Sequence, residues 1–380
     1  MKIENLKVLM IDSLVGNDYS LFLCNELAKQ KVDVSLVMTV DRKISFETFF
    51  NVIKIMPSKN PDISRFKKTL IFPLYFFKLI KLIYRQNFRI VHYQFFRLKT
   101  IESFFYILLK FFRVKLIHTV HEVLPIEKGN NEIYFDKLIY KFSDALIVHS
   151  KRNMNDLSIN YKIAHDKLYV TPHGSFNFYE GTSKLSIESA RKELKIDINK
   201  KVILFFGAIK KYKGVDSLLN ALQNYTENDL TLIIAGEIES KEIETDLLER
   251  IKKVPLNVTI ITIFEFIEHS KIPIYFTASD IIILPYKKLT HSGVLHLAYS
   301  FSKPVIATKV GDFEESIENF KSGLLVNPND DLELLNAIKK MTSGELDLKS
   351  MGDYAKKLNE KEYSWEKSAS NLVEIYKSLF

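Results

Sequence analysis

The chain has a single cysteine, Cys24, in an apolar helical stretch. That excludes a disulfide framework and a cysteine-built zinc site, and it fits a reducing compartment. No D-x-D triad occurs, so no paired-carboxylate seat for a metal ion is visible, and the Asp330-Asp331 pair reads as a turn. No G-x-G-x-x-G follows a strand, so NAD binding has no support. No apolar run is both long and free of charge enough to span a membrane. No leader is expected either: near its N-terminus the chain reads KVLMID (7–12), a buried strand with no apolar run before it.

What is present is a globular chain of 380 residues, 47% hydrophobic and 26% charged, long enough for two domains. The formal net charge is +8, and much of it lies between Arg65 and Lys115 among large apolar side chains. Nucleic acid, an anionic membrane face or an anionic substrate could each explain that balance. With no nucleic-acid motif beyond charge, the mixture of basic and aromatic residues favours a membrane surface.

The N-terminal half alternates short apolar strands with helical patterns: LKVLMID, VDVSLVM, RIVHYQ, VKLIHTVHE, DALIVHS and LYVTPHG. Around residues 175–200 a polar stretch interrupts the order. It then restarts with KVILFFG, a helix over 215–223, LTLIIAGE, a helix over 239–253, VTIITI, DIIILPY, a helix from Gly293, and PVIATKVG. Strands in front of helices imply a parallel, doubly wound sheet, here twice. A last helix near 365–379 places Trp365, Ala369, Leu372, Val373 and Tyr376 at helical spacing.

Several segments, in order, carry a resemblance: HTVHE (118–122), DALIVHS (144–150), VTPHGS (170–175), FFGAIKKYKGVDSLL (205–219), LIIAGE (232–237), ASDIIILPY (278–286), HSGVLHLAYSFSKPVIATKVG (291–311), GLLVNPND (323–330) and YSWEKSA (363–369). Over nearly the whole chain this resembles glycosyltransferase family 4, within the two-domain fold called GT-B, and above all its bacterial polysaccharide-building members. The resemblance implies an α/β fold of two Rossmann-like doubly wound domains facing a central cleft. An acceptor-side domain would span 1–182 and a nucleotide-sugar domain 183–362, with a final helix at 363–380 crossing back to the first.

It also implies a site. Lys213-Gly214 matches the family's lysine–glycine pair, while Ala208 stands at the commonest arginine position, whose role passes to Lys210. Cations there stabilise charge that grows on a departing nucleoside diphosphate. The same lysines also read as a solvated cluster, and Lys211 as facing solvent. Gly207, and Ser292-Gly293-Val294 at a helix start, would seat the donor's phosphates on free backbone N–H groups, although an ordinary cap at Ser292 is the bland alternative. Gly16 would let the first loop approach the donor. His121 matches the histidine that faces the donor sugar, and His121, Lys213 and Lys210 are the residues assigned to chemistry. Glu122 reads as a solvated carboxylate.

The family's E-x7-E pair falls on Leu289 and Leu297, so both glutamates are missing. His291, His296 or Glu315 could replace their contacts, and each also has a bland reading as a packed or helix-start residue. His173 is balanced between function and packing. His92, His118 and His149 read as structural.

The resulting expectation is a retaining hexosyltransferase. It would move a sugar from a nucleotide sugar to a glycan or polyprenyl-diphosphate-linked acceptor in surface polysaccharide synthesis, without a metal or cofactor. It would work in the cytoplasm, at the inner face of the cytoplasmic membrane, with no nucleic acid as partner. RFKKTLIFPLYFFKLIKLIYRQ (65–86) reads either as a core helix broken at Pro73 or as a membrane-interface helix, and residues 100–115 add a second aromatic-basic segment. Two alternatives stay open: another GT-B enzyme such as a nucleotide-sugar 2-epimerase, or a non-catalytic membrane-associated partner of a glycan-assembly enzyme.

Overall fold

The computed structural model describes every residue except 1–5, 14–17, 45–46, 58–64, 97–98, 113, 124–129 and 176–184, and the side chains of 65–70 and 130–131. Among the described residues the chain forms two compact units, Met1–Gly174 with Ser364–Phe380, and Ser175–Tyr363.

The first unit runs β1 (Lys7–Asp12), α1 (Tyr19–Lys29), β2 (Asp33–Thr39), β3 (Asn51–Met56), α2 (Arg65–Gln86), β4 (Ile90–Phe95), α3 (Lys99–Leu108), β5 (Lys115–Thr119), α4 (Asn130–Phe142), β6 (Ala145–Val148), α5 (Lys151–Tyr161) and β7 (Leu168–Val170). Its strands pair in parallel in the order β3-β2-β1-β4-β5-β6-β7. A fully apolar strand suits this sheet because side chains alternate between faces and both faces are covered. In β1, Val8 and Met10 enter the core shared with α1, and Leu9 and Ile11 enter the core shared with α2 and α3.

The second unit runs α6 (Ile187–Glu193), β8 (Lys201–Phe206), α7 (Val215–Leu222), β9 (Leu230–Ala235), α8 (Lys241–Ile251), β10 (Val258–Ile263), α9 (Ile272–Ala278), β11 (Ile281–Leu284), α10 (Gly293–Ser300), β12 (Val305–Thr308), α11 (Phe313–Ser316), β13 (Gly323–Val326), α12 (Asp331–Thr342) and α13 (Leu348–Glu362). Its parallel order is β10-β9-β8-β11-β12-β13. The last helix, α14 (Trp365–Ser378), packs on α1 in the first unit. It buries Ala369, Leu372, Val373, Ile375 and Tyr376 there.

Some details differ from the sequence reading. Asp330 is the N-cap of α12, its Oδ1 accepting from the Glu333 N–H at 2.8 Å. The helix α2 does not break at Pro73. Proline forfeits one backbone hydrogen bond, but Pro73 lies on the exposed side, with Phe72, Tyr75, Phe76 and Leu79 anchoring the other. The helix read over 239–253 is shorter, because Ser240 caps it by accepting from the Ile243 N–H.

Candidate functional site

In each sheet the strand order reverses once, between β1 and β4 and between β8 and β11. Doubly wound sheets leave a ligand crevice outside the carboxyl ends of the strands at such a point. Of the sequence-predicted residues, Gly207, Lys213 and Gly214 follow β8 in the second unit, and His121 follows β5, the neighbour of β4, in the first.

In the second unit β8 ends at Phe206, and Gly207 turns with φ +99°. A short 3-10 turn over Lys211–Lys213 leads to Gly214, which starts α7 with φ +71°. A Cβ on Gly214 would lie 1.9 Å from the Pro285 carbonyl oxygen, so only glycine lets the two loops close. Lys213 is folded back into this turn. Its Nζ is 5.4 Å from the Tyr286 ring centroid and 3.5 Å from where a Gly207 Cβ would stand. Val294 Cγ2 reaches the same point at 3.5 Å, which joins the start of α10 to the group.

Burial draws the Lys213 ammonium below the ordinary lysine range and Lys210 adds to the shift, while Tyr212 opposes it. Among the described residues Lys213 has no ion-pair partner. Lys210 points elsewhere, its Nζ 2.9 Å from Glu239, and Lys211 is exposed.

Ser292 occupies the N-cap position of α10 but its side chain makes no capping bond, so among the described residues it leaves the first N–H groups of the helix to another acceptor. Burial raises the Tyr286 phenol and the nearby Ser292 hydroxyl opposes that, though their geometry falls short of a hydrogen bond. His291 Nδ1 lies 2.5 Å from Asp312 Oδ2, the carboxylate buried and the ring partly so. His296 is fully buried, with Nδ1 3.1 Å from Asn359 Oδ1, and its ring lies 4.5 Å from Tyr363. Burial pulls His296 down to about 4, with His291 adding to the shift and Asp312 and Asn359 opposing it, so the ring is neutral at physiological pH. Glu315 is exposed in α11. Leu289 and Leu297, at the E-x7-E positions, are core residues.

In the first unit Gly16 lies outside the described residues. His121 follows β5 beside the switch point. Phe95, the end of β4, stacks on its ring at 4.1 Å and 11°. Its Nε2 is 3.1 Å from Gln94 Oε1, and its Nδ1 is 3.1 Å from His149 Nε2. Tyr19, at the start of α1, lies within 4.9 Å of His121 and 4.8 Å of His173, and 5.1 Å from Trp365. Gly174 makes room for Trp365, since a Cβ there would fall 2.0 Å from the indole. Next to His121 opens a cavity of about 250 Å³ lined by Gln94, Phe95, Phe96, Lys99, His118 and Asp136, among others. Lys99 and Asp136 pair across it at 2.7 Å. Among the described residues no group of three His, Cys, Asp or Glu could hold a metal ion.

Sequence reading did not single out Gln94 and Tyr19 in the histidine cluster, nor Tyr286 and Asp312 in the second unit, and it read His149 as structural. The one available signal was three histidines at the ends of neighbouring strands (His121, His149, His173).

Comparison with known proteins decides the family. Residues 18–175 match the family described as Glycosyltransferase Family 4, and residues 186–358 match Glycosyl transferases group 1. The chain belongs to glycosyltransferase family 4. Among curated relatives, a D-inositol 3-phosphate glycosyltransferase of Corynebacterium urealyticum is 24% identical over 283 residues, 70% of this chain. The match spans 66% of that relative, just under two thirds of its length. Among solved structures, a sucrose-phosphate synthase from Thermosynechococcus elongatus superposes with a TM-score of 0.78 at 19% identity, covering 99% of both chains. The Anabaena protein HepE, solved with UDP, superposes with a TM-score of 0.75 at 18% identity, covering 98% of this chain and 100% of that one. These likenesses give the GT-B fold, two parallel-sheet α/β units, to this member of the family.

Proposed function

We propose that this chain transfers a hexosyl group from a nucleotide sugar to a glycan or polyprenyl-diphosphate-linked acceptor in surface polysaccharide synthesis, with retention at the anomeric carbon. The observation that carries the reading is Lys213: a half-buried ammonium with no ion-pair partner among the described residues, beside the glycine turn and the open start of α10. A cation in that setting favours an anion, and the free N–H groups of a helix start favour a phosphate. That HepE has been solved with UDP and with UDP-glucose supports a uridine nucleotide as the first donor to try.

In this reading Lys213 and the α10 amides take the diphosphate, and Gly207 and Gly214 let it approach. As the glycosidic bond breaks, negative charge grows on the leaving phosphate, and a fixed cation stabilises that state most. The lysines and amides can do this without a metal ion. Lys210 serves once it leaves Glu239. His291, held by Asp312, is the stand-in for the missing glutamates, and Glu315 is the second candidate. His121 orients the sugar, with His173 in the same cluster, and the cavity beside it holds the acceptor. The exposed stripe of α2 rests on the inner face of the cytoplasmic membrane.

The test is a thermal-shift screen of nucleotide sugars followed by a transfer assay with the best one. Stabilisation by a nucleotide sugar, lost in Lys213→Ala, supports the reading. A screen in which no nucleotide shifts the unfolding temperature overturns it.

A further inference from the structure

The rings of His121 and His149 carry a proton-counting conflict that one assignment removes. A neutral imidazole carries one N–H, so two neutral rings carry two. His149 Nδ1 is 3.0 Å from the Thr171 carbonyl oxygen, which only accepts, so that nitrogen donates. His121 Nε2 is 3.1 Å from Gln94 Oε1, which also only accepts, so that nitrogen donates too. The contact between the rings, His149 Nε2 to His121 Nδ1 at 3.1 Å, needs a third proton. The Gln94 amide is held from its other end: Nε2 donates to Met10 Sδ at 3.0 Å and lies 3.3 Å from His92 Nε2. Turning it over would set a carbonyl oxygen against the Met10 sulfur, which has no proton to give, and only His92 Nε2, already engaged with Thr119 Oγ1 at 2.8 Å, could then donate to it.

We propose that His121 and His149 hold one extra proton between them at neutral pH, and that His149 is a positioning residue that keeps His121 charged and aimed.

The surroundings favour the cation. Phe95 lies flat against the His121 ring, and an aromatic face attracts positive charge. Among the described residues, the groups facing the pair do not compete for the proton. Tyr19, from α1, is kept neutral because burial raises its phenol. His92, from β4, is pulled down to about 3, chiefly by burial. His173, after β7, lies 5.3 Å from His149 and donates its Nδ1–H to the Gly174 carbonyl at 2.7 Å. Asp12, at the end of β1, is tied to Arg42 at 2.9 Å. His118, on β5, donates its Nδ1–H to the Tyr93 carbonyl at 3.1 Å. Glu122, next to His121, is exposed. From α14 the cluster meets Trp365, which does not titrate.

The pair therefore makes the carboxyl ends of β5 and β6 cationic, suited to an anionic group such as a phosphate on the ligand. That use rests on the transferase reading above; the charge itself does not.

The test is a ring ¹⁵N–¹H spectrum of the full chain labelled at histidine, at pH 7 and without substrate. Three N–H signals from His121 and His149 are expected, one of them lost as pH rises. In Gln94→Glu the extra proton should be held at least about tenfold more tightly, a shift of about one pH unit upward. Two signals only in the wild type, a neutral pair, overturn the inference. For the positioning role, His149→Phe should lower kcat/KM about tenfold or more. His149→Asn, whose amide can donate to Thr171 and accept from His121, should recover most of that loss. Equal loss in both variants overturns the role. If His149→Phe does not fold, the wild-type spectrum and Gln94→Glu still decide the charge. Three signals in a protein that transfers no sugar support this inference and sink only the transferase reading. A neutral pair in an active enzyme does the reverse.

Discussion

Burial works against the charge on Lys213, and the folded chain supplies no carboxylate to offset it among the described residues. Lys213→Ala should therefore lower kcat by about 100-fold, the usual effect of losing one donor to a growing anion. Lys210→Ala should cost less, because Lys210 already has Glu239. Steady-state kinetics on the best donor decide this, and an unchanged kcat in Lys213→Ala contradicts the donor site. The alkaline limb follows from the direction of the shift. As pH rises, Lys213 loses its proton before an ordinary lysine would, so activity should fall early, and Lys213→Arg should move that fall upward.

The buried histidines make a separate acid-side prediction. His296 is held at about 4, against an ordinary value of 6.5, by burial first. Between those values the unfolded chain takes up a proton that the folded one refuses, so stability is lost as pH falls. The loss from pH 7 to pH 5 should be about 2 kcal/mol for such a group. Denaturant titrations at the two pH values should show it, and His296→Gln should flatten the slope; an equal slope in the variant would contradict the neutral buried ring.

At the scale of elements, most of the fold was legible because the strands are dense β-branched runs, such as KVILFF and DIIILPY, that only a sheet covered on both faces can bury. The strand β3 was not, because NVIKIM sits at a sheet edge, half exposed, where burial leaves no clear pattern. The loop of Lys213 and Gly214 could be read because its parts are adjacent in sequence. The partnership of His121 with His149, 28 positions apart, was signalled only by histidines at the ends of neighbouring strands, and that of His291 with Asp312, 21 apart, not at all, since folding alone brings each pair together.

The helix α14 shows the same dependence on long-range contact. Tyr376 hydroxyl meets His92 Nδ1 at 2.7 Å, and the Ser368 hydroxyl donates to the Pro172 carbonyl at 2.6 Å. Ending the chain at Tyr363 would uncover the α1 core and leave His92 without that partner. Leu372→Ala alone should destabilise the first unit by about 2–5 kcal/mol. A chain lacking α14 that unfolds at the wild-type temperature would show that the helix is merely appended.

For the whole molecule, the +8 charge acts through where it is displayed. Among the described residues no helix is long and apolar enough to cross a membrane. On α2, however, Leu74 is 64% exposed and Phe77 67%, and Tyr84 is more exposed still. Lys78, Lys81 and Arg85 share that exposed face at helical spacing. Phe76 stacks on Phe105 at 4.0 Å, which fixes α2 to α3, where Phe104 is also exposed. The side chains of Lys67 and Lys68 lie outside those described. Each cation near an anionic leaflet contributes about 1 kcal/mol, and the apolar side chains add a component that salt does not screen. The protein should therefore sediment with phosphatidylglycerol vesicles at low salt, and far less with phosphatidylcholine vesicles. Replacing Lys78, Lys81 and Arg85 by Glu should release it while leaving its unfolding temperature within a few degrees, because these side chains are exposed. Phe77→Ser should instead make the remaining binding more sensitive to salt. Wild-type protein that stays in the supernatant with anionic vesicles at low salt would remove the membrane from the proposal and point to a water-soluble acceptor.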